Sequence, residues 1–272
     1  MYAVDTHAHI FETGLELAPV RRYAPTYNAT VEDYLAVLDQ HGVSRGVLVQ
    51  PSFLGTNNDY MIDALKRYPE RLRGIAVVDP AVDLATLEAM DAAGVVGVRL
   101  NLGGLPVPPL WETAWQTLFG HLRRLDWQVE IIRESADLPF LIDPLLDAGL
   151  TVVVDHMGRA GEAGANDRGF RHLLRSARSR RVWVKVSGLY RNWSNLDDLS
   201  GVKDCVSRLL DAFGPERLVW GSDWPHTQNE SKIRYAMTQR HLEACVLSPA
   251  DRKIILQDAP ARLFRFNPVI GE

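Results

Sequence analysis

Cysteine is scarce in this chain, with two in 272 residues, Cys205 and Cys245. They stand far apart in helix-like segments and match no metal or redox spacing, so they read as free thiols of a reducing compartment. Long apolar runs are lacking too. None approaches the ~18 residues that span a bilayer, and a strand-like run begins almost at once, leaving no room for a secretion signal. A cytoplasmic protein with no membrane partner is the expectation. No excess of one charge is present either: 30 Lys and Arg stand against 34 Asp and Glu. That balance gives no support to a nucleic-acid partner. The one basic run, Arg171, Arg175, Arg178, Arg180 and Arg181, has Leu173, Leu174 and Ala177 interleaved at helical spacing and reads as a solvated helix face. A P-loop is absent, and no Gly-x-Gly-x-x-Gly follows the first strand, which counts against a dinucleotide site. Nucleophilic serine or cysteine catalysis is not expected.

What the chain does contain is a repeat. Short β-rich runs recur at Tyr2 to Val4, Gly46 to Gln50, Gly74 to Val78, Gly97 to Asn101, Gln128 to Ile132, Thr151 to Asp155, Val182 to Ser187 and Leu218 to Gly221. Segments with helical periodicity lie between them. Thr30 with Asp33 resembles a capping box, Asp83 can cap a helix striped by Leu84, Leu87 and Met90, and Ser248-Pro249 is a helix start. His41-Gly42-Val43, Ala93-Gly94-Val95 and Ala148-Gly149-Leu150 each stop a helix just before a strand. Eight alternating βα units with no linker predict a TIM-type (β/α)8 barrel, one α/β domain over residues 1–272, with a doubly wound sheet as the alternative.

In a barrel the active site forms at the C-terminal strand ends. Polar residues gather at the corresponding places here. Asp5-Thr6-His7-Ala8-His9 puts imidazoles at the end of strand 1, and strand alternation places Asp5, His7 and His9 on one face. Such a pair can bind a metal, polarise a carbonyl or pass protons, or simply form strand-end hydrogen bonds. Strand 2 ends in Gln50 and Ser52, strand 4 in Asn101, strand 6 in Asp155-His156 with Arg159 beyond. Strand 7 is followed by Arg191, and strand 8 ends in Ser222-Asp223. Asp155 alternates away from His156, which leaves Asp223 as the unpaired carboxylate, desolvated by Trp220 and Trp224 and raised in pKa. Arg99, Glu130 and Lys185 sit mid-strand and are expected to pair inside the barrel.

Seven ordered segments carry a family resemblance: Asp5-Thr6-His7-Ala8-His9, Tyr23-Ala24-Pro25, Gly46-Val47-Leu48-Val49-Gln50, Gly97-Val98-Arg99-Leu100-Asn101, Val154-Asp155-His156-Met157-Gly158-Arg159, Lys185-Val186-Ser187 and Trp220-Gly221-Ser222-Asp223-Trp224-Pro225-His226. The chain resembles the amidohydrolase superfamily, in the branch of the 2-pyrone-4,6-dicarboxylate lactonases. The resemblance implies a lactonase that needs no metal, a carbonyl polarised by His7, His9 and His156, and water activated by Asp223. Arg159 and Arg191 would hold substrate carboxylates, with Ser52, Asn101 and Gln50 as further substrate contacts. Binuclear members of the superfamily use a strand-4 lysine and a strand-5 histidine. Strand 4 here offers Arg99 and strand 5 no histidine, so a binuclear site is not expected. A single zinc on His7, His9, His156 and Asp223 is the alternative. The chain departs from the branch at Ile132, where a substrate-binding tyrosine would stand, and near Leu105, where a further arginine would. Arg133 is expected to face outward.

Three functions are compatible with these residues. The first is a hydrolase acting on a small acidic lactone. The second is a metal-dependent decarboxylase of the same superfamily, and the third a barrel that binds an acidic metabolite without turning it over. A homo-oligomer is left open.

Overall fold

A computed structural model describes residues 3–267; Tyr2, the expected first residue of strand 1, lies outside them. Eight strands form one parallel sheet in the order β1 to β8: β1 (Ala3–Ala8), β2 (Val43–Val49), β3 (Leu72–Ala76), β4 (Val95–Asn101), β5 (Gln128–Ile132), β6 (Val152–Val154), β7 (Val182–Val186) and β8 (Leu218–Trp220). Helices follow each strand: α1 (Val31–Gln40), α2 (Asp59–Arg67), α3 (Leu84–Ala92), α4 (Thr113–Arg124), α5 (Leu138–Asp147), α6 (Arg168–Ser176), α7 (Ser200–Phe213) and α8 (Tyr235–Cys245). Two short helices, α9 (Pro249–Lys253) and α10 (Ala259–Leu263), complete the chain's described part. The segment after β8 closes the ring on β1. Asp223 N donates to His7 O and His9 N to Trp224 O, each at 2.8 Å. The fold is the (β/α)8 barrel expected from the repeat.

The local signals act as their chemistry dictates. Thr30 and Asp33 form the capping box of α1, Asp83 caps α3 through Thr86 N, and Ser248 caps α9 with Pro249 in its first turn. Gly42, Gly94 and Gly149 take positive φ of 66°, 103° and 81° where a helix turns into the next strand, a conformation glycine adopts without a Cβ penalty.

Strand alternation sorts side chains between the barrel interior and the helix layer. The interior is stratified. At the bottom, Val4, Val47, Ile75, Val153, Trp183 and Val219 meet Leu263, Phe264 and Phe266 from the C-terminal segment, which plugs the barrel. Above this apolar floor lies a layer of buried charge from β4, β5, β6 and β7. Above that, at the mouth, are the imidazoles.

One register shift corrects the sequence reading. Asp5 pairs with Gly46 but Ala8 with Leu48, so three residues of β1 oppose two of β2. Such an irregularity reverses the facing of the residues beyond it. His7 and His9 turn to the mouth, whereas Asp5 turns outward, accepting from Ser222 N (2.8 Å), Ser222 Oγ (2.5 Å) and Tyr235 OH of α8 (3.1 Å). Asp5 ties β1 to β8 and does not share the face of the histidines.

Candidate active site

A cleft of about 560 Å³, counting solvent at its opening, lies at the C-terminal end of the barrel. His9, His156, Asp223, Arg159, Arg191, Ser52 and Asn101 all line it. His7 is completely buried just beneath, its ring centroid 5.0 Å from that of His9 and 4.8 Å from that of His156. The four residues expected from strands 1, 6 and 8 therefore converge: Asp223 Oδ1 is 3.6 Å from His9 Nε2 and 4.0 Å from His7 Nε2, and Asp223 Oδ2 is 3.9 Å from His156 Nε2.

Each imidazole is held by its other nitrogen. His9 Nδ1 lies 2.7 Å from Val49 O, which can only accept, so in the neutral ring Nδ1 carries the hydrogen and Nε2 a lone pair. His156 Nδ1 is 2.9 Å from Ser187 Oγ. His7 Nδ1 lies 3.4 Å from Asp155 Oδ1 and 3.2 Å from Lys185 Nζ. Burial pushes His7 well below the ordinary imidazole range and His156 down to about 4, against the opposing pull of nearby carboxylates. These two rings are neutral near pH 7, each with one N–H to donate.

Alternation counted back from His156 points Asp155 away from this group, and the structure corrects that expectation. Val153 faces the barrel interior and Val154 the helices, so alternation brings Asp155 back inside. The chain then enters a left-handed turn, with φ of 50° at His156, 54° at Met157 and 68° at Gly158, which swings His156 into the same mouth. Asp155 accepts from Arg99 Nε at 2.9 Å and lies 2.8 Å from Arg99 Nη2. It also lies 3.4 Å from Lys185 Nζ, which sits 2.7 Å from Glu130 Oε1. Of the pairing expected among Arg99, Glu130 and Lys185, Lys185–Glu130 is present, and Arg99 joins it through Asp155. Glu130 and Asp155 share one ammonium, but Asp155 has Arg99 as a second cation. Burial raises Glu130 to about 7, whereas Lys185 and Arg99 outweigh burial and hold Asp155 well below the carboxylate range.

Asp223 is not unpaired. Arg191 Nε and Tyr190 OH (2.7 Å) both donate to Oδ2. Trp220 and Trp224 do not wall it. Trp220 lies on the outer face of β8, its ring 5.8 Å from Tyr235, and Trp224 stacks on Tyr34 at 5.3 Å. Burial alone would raise the Asp223 carboxyl, but Arg191 and His156 overcome it and hold the group well below its ordinary range. The raised pKa expected from the sequence is thereby corrected.

The remaining candidates divide. Gln50 does not reach the cleft; its amide donates to Asn57 O (2.7 Å) and Gly55 O (3.3 Å) and pins its own loop. Arg133 pairs with Asp137 at 2.7 Å, clear of the cleft, whereas Ile132 lines it. Gly42-Val43-Ser44-Arg45-Gly46 does match the letters of the nucleophilic-serine pattern, but Ser44 lies at the entrance of β2, the end of the barrel opposite the cleft. Sequence reasoning missed Arg22, Tyr23, Thr227 and Gln228 as lining residues. It also missed His226, buried with Nδ1 3.4 Å from Tyr190 OH. Arg22 and Tyr23 belong to the loop after β1, where only the Tyr23-Ala24-Pro25 match signalled them.

The donor set fits a cation. His7 Nε2 and Asp223 Oδ1 are buried without a hydrogen-bond partner. Together with His9 Nε2 they place two imidazole nitrogens and an anionic oxygen within 4.8 Å of one another, ligand types that zinc takes. A second group, His7, Glu130 and Asp155, also falls within 4.8 Å. There the Lys185 ammonium already supplies the positive charge.

The amidohydrolase family pattern matches residues 4–266. A 2-pyrone-4,6-dicarboxylate hydrolase from Comamonas testosteroni is 35% identical over 236 residues, covering 82% of this chain and 77% of that one. A 4-sulfomuconolactone hydrolase from Rhizobium radiobacter is 33% identical over 273 residues, 96% of this chain and 89% of that one. A solved Acinetobacter baumannii structure, named for the same pyrone-dicarboxylic acid hydrolysis and holding citric acid, superposes with a TM-score of 0.94 at 39% identity, covering 98% and 100% of the two chains. Solved amidohydrolase-type structures of the same fold contain zinc (Burkholderia multivorans, 17% identity, TM-score 0.78, covering 98% of this chain and 100% of that one) and manganese (a dihydroxybenzoic acid decarboxylase from Polaromonas, 16% identity, TM-score 0.68, covering 98% of each chain). The buried His7–His9–Asp223 donor set of this chain overturns the expectation that the site needs no metal. From the matched pattern and these relatives, the chain belongs to the amidohydrolase family.

Proposed function

We propose that this chain opens a lactone bearing carboxylate groups, by addition of water to the ring carbonyl. The chain is a hydrolase acting on ester bonds; the acidic lactone and the residue roles are the proposal. One observation carries it. Four guanidinium groups, Arg22, Arg99, Arg159 and Arg191, face one cleft whose lining contains a single carboxylate, Asp223. Among the described residues, neither Arg22 nor Arg159 has a carboxylate partner. A cleft so charged selects anions, and guanidinium groups grip carboxylates through paired hydrogen bonds. The named relatives support this reading with a pyrone dicarboxylate, a sulfomuconolactone and a bound citric acid.

The residues divide the work. Arg159 and Arg191 seat the substrate's carboxylates and fix the carbonyl over Asp223. An entering carboxylate competes with Asp223 for Arg191. When Arg191 turns to the substrate, Oδ2 loses its strongest cation and regains basicity, so the base is released only in the loaded site. Water then adds its hydroxyl to the carbonyl carbon while its proton moves to Asp223 Oδ2. The bond from that carbon to the ring oxygen breaks, and the ring oxygen takes the proton, leaving an open hydroxy acid or its keto form. His156, held by Ser187, stands beside Oδ2. A divalent ion on His7, His9 and Asp223 Oδ1 supplies a Lewis acid for the carbonyl when bound.

The test is a spectrophotometric screen of mono- and dicarboxylated lactones, with metal analysis of the same sample. Ring opening confined to acidic lactones supports the proposal. Binding without opening favours the metabolite-binding barrel, and release of carbon dioxide favours a decarboxylase.

A further inference from the structure

A second hollow of about 860 Å³, counting solvent at its opening, adjoins the cleft, and the two share Arg22, Ser52 and Asn101 as walls. Arg22 is where they meet. Its Nη2 lies 3.3 Å from Asn101 Oδ1. Its guanidinium rests on Gly103: a Cβ there would fall 2.3 Å from Arg22 Nη1 and 3.1 Å from its Cζ. Gly103 is not left-handed, so glycine serves here for space and not for backbone freedom. The seat is built from β4 and its following loop. In an eight-stranded ring β4 stands opposite β8, so Arg22 faces Asp223 across the cleft. Beyond Arg22 the hollow is lined by groups such as Ala18, Val77 and Leu105, with no charge apart from Arg21 and Arg22 itself. Arg22 remains solvent-exposed and is held by one long hydrogen bond and its packing on Gly103.

We propose that Arg22 is a movable partition, seated on Gly103, that sets specificity at the end of the substrate furthest from the reacting carbonyl. In place, it stops the substrate with an anion at that end; displaced, it opens a mostly uncharged subsite that accepts a longer neutral substituent. The proposal rests on the acidic-lactone reading and adds to it a specificity residue, a subsite and the ligand class of each. The cation arrives from the β1 loop, and a Cβ at 103 would push the guanidinium off its seat.

The test is calorimetric, with two ligands that cannot be hydrolysed as lactones: isophthalate, a planar diacid, and its monobutyl ester, in which one carboxylate becomes a neutral chain. The wild-type protein binds the diacid more tightly. Arg22→Met keeps the stem and removes the fork, so the diacid weakens about tenfold or more, the usual loss for a charge-assisted contact, while the monoester holds or tightens. Gly103→Ala leaves every charge in place but displaces the guanidinium, and shifts the preference in the same direction. Equal binding of both ligands by wild type, or equal weakening of both by Arg22→Met, overturns the partition. A Gly103→Ala protein with the wild-type preference overturns the seat. A protein that shows the preference yet opens no lactone would sink the lactone reading and leave the partition standing.

Discussion

Replacing Asp223 by Asn separates the carboxylate's charge from its shape. The amide oxygen can still accept from Tyr190 and Arg191, and its NH2 can point where Oδ1 now lies, 3.6 Å from the His9 Nε2 lone pair and 4.0 Å from His7 Nε2. The fold therefore keeps its contacts. Arg191 and His156 outweigh the burial of Asp223 and hold its carboxyl well below the ordinary range, so the neutral replacement leaves Arg191 without its counter-ion and the melting point should fall. What disappears is the proton acceptor. Loss of a general base costs on the order of 10²–10⁴ in rate, so kcat should fall by at least about 10². Arg191, freed from its partner, should hold a substrate carboxylate at least as well, so KM should stay or drop. Steady-state kinetics on an acidic lactone, with a thermal melt of the same sample, reads both. A variant that keeps more than about a tenth of its kcat would refute Asp223 as the base. A variant that loses affinity alone would return the protein to the binding reading.

Three further outcomes are expected. Arg159→Lys should raise KM about tenfold with kcat little changed, because a lysine cannot give the paired hydrogen bonds of the fork; unchanged kinetics would remove Arg159 from the site. Dialysis against a strong zinc chelator should cut turnover, and zinc should restore it; full turnover by metal-depleted protein would show that the His7–His9–Asp223 set works without an ion. Gly188 has φ +58°, and a Cβ there would lie 2.6 Å from His156 Nδ1. Gly188→Ala should therefore break the His156–Ser187 contact, cutting kcat/KM about tenfold while the melting point falls only a few degrees, the scale of ~1–2 kcal/mol of left-handed strain; wild-type activity would show that Gly188 does not hold the ring.

The barrel was legible because its grammar is local: glycine stops a helix, an apolar run makes a strand, and polar residues collect where each strand ends. That rule alone was enough to bring His7, His9, His156 and Asp223 to one mouth. Errors arose where a backbone irregularity reset alternation. The shift in β1 sent Asp5 outward, and the left-handed turn at His156 put two consecutive residues on the site side. Neither has a composition signal strong enough to read in advance. The outward facing of Trp220 was available from Val219 beside it, and the raised pKa expected for Asp223 failed because Arg191, expected to hold substrate, first serves as its counter-ion. Arg22 was hidden for a different reason. It reaches the cleft from a loop far from β4 in sequence, and only a glycine marks where it lands.

If water opens an ester ring in the arginine-lined cleft, the water oxygen must end in the product. Mass spectrometry of the product of an acidic lactone turned over in ¹⁸O-labelled water reads that oxygen. The expected result is a ring-opened acid carrying one labelled oxygen in its new carboxyl group, formed by Asp223→Asn at least about 10² more slowly than by wild type. A product of unchanged mass, or a rearranged lactone with no label, would contradict it.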